Sequence, residues 1–114
     1  MTDYQHHADL ELVPAFVGLA PQEAKAFLAF NHAVGRQDGE VPPKYRELIS
    51  LAVALTTQCA YCIDVHSRAA VAAGVTREEL AETALIAAAV RAGGTLGHAL
   101  FALRPFDEVA AEAK

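Results

Sequence analysis

An all-α fold, a helical bundle of about five to six helices in a single domain over residues 1–114, is the class this sequence predicts. Three observations predict it. Hydrophobic residues make up 54% of the chain and charged residues 20%, a globular balance. Alanine is frequent and β-branched runs are short, so helix propensity is high nearly everywhere. Apolar residues return at three- and four-residue intervals, and no segment reads convincingly as a strand. The length of 114 residues suffices for one compact core and is too short for two.

The elements follow in order. A short helix is expected around residues 10–17, interrupted by Pro14. Pro21 suits the first turn of a helix, where its missing N–H is not needed. Ala24, Phe27, Leu28, Phe30 and Val34 continue it as an apolar stripe that ends near Gly35, with Phe27 and Phe30 expected in the core. Residues 35–43 contain Gly, Asp-Gly and Pro-Pro and read as a loop. Pro43 opens a second long helix with Leu48, Ile49, Leu51, Ala52 and Leu55 apolar. Thr56-Thr57 is the expected N-cap of the next helix, which runs to about Ala73 and stops at Gly74, a good C-terminal residue. Thr76-Arg-Glu-Glu79 is a capping box. It opens a helix through Ala92 with Leu80, Ala84, Leu85, Ala88 and Ala89 inward. Gly93-Gly94 is expected to break that helix. A last helix would cover 95–103, stop before Pro105 and leave a frayed tail.

Composition excludes several functions. The net charge of −5 and a pI near 5.4 leave no electrostatic footprint for nucleic acid. No uninterrupted apolar run reaches the ~20 residues of a membrane helix. The N-terminal Met-Thr-Asp-Tyr-Gln-His-His lacks the basic-then-apolar pattern of a secretory signal. A cytoplasmic location is therefore expected, without nucleic-acid or membrane partners. In that compartment a cysteine pair points to catalysis or metal binding rather than a permanent bridge.

The chemistry concentrates in Cys59-Ala-Tyr-Cys62-Ile-Asp-Val-His66, which holds both cysteines of the chain. At ~100° per residue, Cys59, Cys62 and His66 share one helix face within about 60°, while Tyr61, Ile63 and Asp64 point elsewhere. Cys59 lies near the helix start, where the dipole favours an anion, and His66 can stabilise or deprotonate a thiol on Cys62. Glu47 could orient His66 if the preceding helix folds back antiparallel. Asp64 and Arg68 form a separate i,i+4 pair. Three readings stand at this point: a dithiol redox centre, a metal or ligand-sensing site built from Cys59, Cys62 and His66, and small buried core residues. A structural zinc usually wants a fourth strong ligand, and neither His6, His7, His32 nor His98 forms a paired signature. His98 and His32 read as packing or solvent-facing residues, and His6 and His7 as part of a mobile end.

The spacing Glu47, eleven residues, Cys59-X-X-Cys62, three residues, His66 resembles the active-site pattern of alkylhydroperoxidase D-like proteins of the carboxymuconolactone decarboxylase superfamily. The flanking Pro43-Lys-Tyr-Arg-Glu-Leu-Ile-Ser-Leu-Ala-Val-Ala and His66-Ser-Arg-Ala-Ala-Val-Ala-Ala-Gly74 agree, and the resemblance spans residues 16–103. It implies a thiol-dependent hydroperoxide reductase with Cys62 as the attacking thiol, Cys59 resolving, His66 as base and Glu47 in the relay. It also implies no bound cofactor or metal, a hydroperoxide or small disulfide substrate, an external dithiol reductant, and a homo-oligomer, trimer or hexamer. Lactone chemistry of the decarboxylase branch runs without this dithiol, so the two cysteines argue against it.

Overall fold

The computed structural model describes residues 4–113, and in that span the chain is helical with no strand. A 3-10 segment, His7–Leu12, leads directly into α1 (Val13–Leu19). Then come α2 (Pro21–Val34), α3 (Pro43–Thr57), α4 (Ala60–Ala72) and α5 (Arg77–Glu112). Pro14, expected to interrupt a helix, instead sits in the first turn of α1, where no intrahelical donor is lost. Pro21 and Pro43 open α2 and α3 in the same way.

α3 is the centre of the molecule. It packs against both α4 and α5, and the buried residues Leu51 and Ala54 of α3 and Ala70 of α4 form the core. Two alanines at that contact let the backbones approach closely around Leu51, which is 1% exposed. Full burial of such a leucine stabilises by about 1.5–3 kcal/mol.

The turn from α3 to α4 is tight. Gln58 closes α3 in the left-handed conformation, φ 59°, with its N–H on the Ala54 carbonyl. The next residue, Cys59, already caps α4. Thr56 and Thr57, expected to cap α4, belong to the last turn of α3 and donate their hydroxyls back to the Val53 carbonyl, each at 2.9 Å. The chain therefore reverses over two residues and lays α4 antiparallel on α3.

Two polar ties fix α5 on α3. Lys44 Nζ meets Glu79 Oε2 at 2.6 Å, and Arg91 Nη1 donates to the Thr56 carbonyl at 2.6 Å. Positions 44 to 56 and 79 to 91 advance together, so the two helices run parallel. Gly74, φ 86°, makes the intervening turn. Thr76 Oγ1 accepts the Glu79 N–H at 3.1 Å while Glu79 accepts the Thr76 N–H at 2.9 Å, the reciprocal cap its sequence predicts. Thr83, Ala84 and Ala87 of α5 are half-buried; of the residues expected inward, Leu80, Leu85, Ala88 and Ala89 are exposed and only Ala84 is covered.

α5 also corrects the expectation of a break at Gly93-Gly94 and of a separate helix over 95–103. It runs unbroken for 36 residues, through both glycines and through Pro105. Neither glycine takes a positive φ, and an interior glycine weakens a helix by only ~1 kcal/mol. Pro105 removes one donor at a stretch where every residue is exposed, so the carbonyl it frees faces solvent. Unbroken, α5 is long and apolar enough to cross a membrane by length and composition alone.

α1 and α2 project from the remainder, held at one end by the 3-10 segment against α4. At the other end Arg46 of α3 donates to the carbonyls of Val34, at 2.6 Å, and Val41, at 2.7 Å. A Cβ at Gly39 would stand 1.8 Å from Arg46 Nη2, so a larger residue there would push the guanidinium aside. Phe27 and Phe30, expected in the core, are 63% and 67% exposed. The radius of gyration is 19.8 Å, where a compact chain of this length has about 13 Å. The accessible area is 9251 Å², against about 6,000 Å² for a compact monomer of this mass.

Candidate functional site

Cys59 is the N-cap residue of α4, and its backbone is extended there. Its Sγ accepts the Cys62 N–H at 3.3 Å and lies 2.7 Å from Cys62 Sγ. A sulfur occupies the position where Ser or Asp usually satisfies the first orphan donors of a helix. Both thiols are free and half-buried.

The environment splits the two thiols. The Cys62 thiol, donating to Cys59, holds the Cys59 pKa below the ordinary cysteine value, and the Cys62 N–H acts the same way. Cys62 moves in the opposite direction. Its donation to Cys59 raises its pKa first, then burial and the Cys59 charge add to the rise. Of the two thiols Cys59 is therefore the first to ionise. The resemblance implies Cys62 as the attacking thiol, whereas the thiol whose pKa is lowered is Cys59, at the helix start where the dipole favours an anion.

Glu47 and His66 meet across the α3–α4 contact, with His66 Nδ1 2.8 Å from Glu47 Oε2. A carboxylate only accepts, so Nδ1 carries the proton, and in the neutral ring Nε2 is the nitrogen with the free lone pair. Glu47 is 20% and His66 32% exposed, enough cover to orient the ring and enough opening for a small reactant. His66 lies one turn beyond Cys62 on the same helix face. Among the described residues, its hydrogen bond goes to Glu47 and neither sulfur receives one from it. No group of three His, Cys, Asp or Glu side chains is arranged to hold a metal ion among the described residues.

Tyr61, Asp9, His6 and His7 take roles beside the dithiol that the sequence reading missed. Tyr61, between the cysteines, donates its hydroxyl to Asp9 Oδ2 at 2.6 Å. That bond raises the Tyr61 pKa and lowers that of Asp9. Asp9 also accepts the His6 N–H at 3.1 Å, closing a cap on the 3-10 segment. His7 Nδ1 pairs with Asp64, whose other oxygen takes Arg68 Nε at 3.0 Å. His6 and His7 therefore fasten the N-terminal segment to α4 instead of lying in a mobile end. Tyr61 and Asp9 stand 52 positions apart, and no local pattern announces such a pair. His98 and His32 are both exposed.

A larger hollow of about 460 Å³ lies between α3 and α5, lined by Leu48, Ile49, Val53, Ile86 and Val90 among others. None of the four site residues lines it.

Comparisons with known proteins agree with this architecture. The family model described as carboxymuconolactone decarboxylase family matches residues 21–105. A Paracoccus denitrificans protein described as uncharacterized protein 4 in cox locus is 40% identical over 84 residues, covering 74% of this chain and 75% of its own. An uncharacterized protein of Cupriavidus necator is 32% identical over 99 residues, with 85% and 88% covered. Among solved structures, a Methanobacterium thermoautotrophicum protein superposes with a TM-score of 0.70 at 35% identity, covering 78% of this chain and 99% of that one. The apo form of a carboxymuconolactone decarboxylase family protein from Legionella pneumophila superposes with a TM-score of 0.65 at 34% identity, with 87% and 88% covered.

Proposed function

The chain belongs to the carboxymuconolactone decarboxylase family, and from that premise we propose that this member is a thiol-dependent hydroperoxide reductase of the alkylhydroperoxidase D type. One observation carries the reading: two free thiols with sulfurs 2.7 Å apart cap a helix beside a Glu47–His66 pair hydrogen-bonded at 2.8 Å.

Cys62 is the attacking thiol and Cys59 the resolving one. The lowered Cys59 pKa and the raised Cys62 pKa support this division. At a given degree of ionisation the thiolate of higher pKa is the better nucleophile, and the thiol of lower pKa is the better leaving group. His66 Nε2 takes the Cys62 proton as the sulfur approaches the peroxide. The S–O bond forms, the O–O bond breaks, and the departing alkoxide receives that proton, leaving Cys62 as a sulfenic acid. Cys59 thiolate then attacks the Cys62 sulfur. The S–S bond forms, the S–O bond breaks, and hydroxide leaves as water after protonation. The dithiol has given two electrons to the peroxide. One thiol of an external dithiol attacks the Cys62 sulfur of the disulfide and expels Cys59 as thiolate; its second thiol then attacks its own sulfur in the mixed disulfide, expels Cys62 and leaves as the oxidised disulfide, which closes the cycle. A small disulfide can take the place of the peroxide as electron acceptor. The two cysteines carry the electrons from the external dithiol to the peroxide, His66 handles the Cys62 proton, and no step calls for a cofactor.

The testing experiment is a hydroperoxide assay coupled to oxidation of several dithiols, with organic and inorganic peroxides. Turnover that needs both cysteines is expected. Undiminished turnover in Cys62→Ser overturns the choice of nucleophile, and undiminished turnover in a double Cys→Ala variant overturns the thiol chemistry.

A further inference from the structure

The first turn of α4 carries the dithiol and has little of its own to hold it. The Ile63 N–H bonds the Cys59 carbonyl at 3.0 Å, but the N–H groups of Ala60, Tyr61 and Cys62 precede it and have no helix carbonyl to meet. Two of them serve the Cys59 sulfur instead. After the Cys62 thiol, the Cys62 N–H and then the Tyr61 N–H hold the Cys59 pKa down, against burial. How readily Cys59 ionises therefore depends on how well this turn keeps both donors aimed.

The turn is braced from outside. Tyr61 donates its hydroxyl to Asp9 Oδ2 at 2.6 Å, the length of a charge-assisted bond. Asp9 is itself fixed, because the same oxygen accepts the His6 N–H at 3.1 Å in a 3-10 segment that runs directly into α1. Tyr61 also lines a hollow with Leu10, Val13 and Phe16 of that arm, so the arm meets it through apolar surface as well as through the hydroxyl. The Asp9 bond first, and the Cys59 charge last, raise the Tyr61 pKa, which puts the phenol within electrostatic reach of the sulfur.

We propose that Asp9 and Tyr61 are positioning residues of the dithiol: the bond between them holds the first turn of α4 so that the Tyr61 and Cys62 N–H groups converge on the Cys59 sulfur. Glu47 orients His66 one turn beyond Cys62, and Asp9 acts in the same way at the Cys59 end. The inference rests on the dithiol being the reactive pair of the proposed function, and it holds for any electron acceptor. Its sign sets it apart from a simple charge effect. By charge alone, removing the Asp9 carboxylate would favour a nearby thiolate. By positioning, removing it loosens the donors that stabilise the thiolate and so disfavours it. Tyr61→Phe removes the same bond with no change of charge at neutral pH.

Alkylation of Cys59 by iodoacetamide against pH, with the modified residue located by mass spectrometry, tests this in the full chain. The reagent takes the thiolate, so the midpoint of the rate profile reads ionisation and its high-pH plateau reads access. Asp9→Ala and Tyr61→Phe are each expected to move the Cys59 midpoint to higher pH. The rate at pH 7, relative to each variant's own plateau, should fall about 3-fold, as for one lost hydrogen bond. The double variant should shift no further than either single one. Asp9→Asn keeps an oxygen for both donors and should lie nearer wild type than Asp9→Ala. A faster plateau with an unmoved midpoint would mean that the N-terminal segment only covers the site, and overturns the proposal. A midpoint moved to lower pH, additive shifts in the double variant, or an Asp9→Asn profile matching Asp9→Ala also overturn it. Should Asp9→Ala lose helical circular dichroism, Tyr61→Phe carries the same expectation with the cap of the 3-10 segment intact. The readout needs no peroxide, so failure of this inference and failure of the peroxidase reading are separate results.

Discussion

Glu47 Oε2 accepts the Nδ1 proton of His66 at 2.8 Å, joining α3 to α4 one turn beyond the dithiol. The bond fixes the imidazole tautomer, and that makes the pair a unit.

The unit is testable by a mutant cycle. His66→Ala is expected to lower kcat/KM for peroxide by roughly 10²-fold, the lower end of what a positioned base contributes. Glu47→Gln should lose less, and the double variant should be no slower than His66→Ala alone. Additive losses would show that the two residues act independently.

The cysteines should answer to each other with opposite signs. The Cys62 thiol is the first cause of the lowered Cys59 pKa, so Cys62→Ala is expected to raise the Cys59 value toward that of an ordinary thiol. Cys59 is the first cause of the raised Cys62 pKa, so Cys59→Ala is expected to lower the Cys62 value. Thiolate ultraviolet absorbance against pH measures both, and two shifts of the same sign would contradict the hydrogen-bond direction.

The Lys44–Glu79 tie predicts a pH window. Lys44 and then the Thr76 N–H hold the Glu79 pKa below the ordinary carboxylate value. That contribution is complete above about pH 4.3 and is lost as pH falls through the lower folded value. Glu79 in turn raises the Lys44 pKa. This contribution is complete below about pH 10.4 and is lost as pH rises through the higher folded value. The Tm difference between wild type and Lys44→Met is expected to be flat between these limits and to shrink beyond each. Both groups are about a third exposed, so the difference is small and falls further with salt.

Gly94→Ala is expected to stabilise the chain by about 1 kcal/mol in urea denaturation. An added Cβ there meets nothing within 4 Å, and the residue is helical without a positive φ. A loss of stability would mean that the helix bends or breaks at this point in solution.

The signals legible in the sequence were local ones. Pro21, Pro43, Gly74 and the Thr76–Glu79 box marked their helix ends because each acts within one turn of itself. Glu47 and His66 were readable as a pair only through spacing across an antiparallel turn. The cap of α4 was misplaced onto Thr56-Thr57 because a cysteine is an unusual capping residue, and sequence preference cannot see a sulfur accepting a backbone N–H. Gly93-Gly94 and Pro105 misled in the same direction. Breakers weaken a helix by a few kcal/mol, and whether it ends depends on what competes for the chain there. Periodicity showed that Phe27 and Phe30 share an apolar side but not what covers it. Tyr61 and Asp9 were invisible as partners because only the tertiary fold spans the chain between them.

Cys59 is at once the N-terminal cap of α4 and one half of the dithiol. Secondary structure and redox state are therefore thermodynamically linked at a single atom. As a thiolate the sulfur accepts the Cys62 N–H as an anion at the positive end of a helix, and in a disulfide it has no charge to offer. Whatever free energy the helix gains from its anionic cap is lost on oxidation, which favours the reduced pair and raises its reduction potential above that of an uncapped pair. Conversely, oxidation should loosen the first turn of α4, and faster amide exchange there would register the oxidation state of the dithiol.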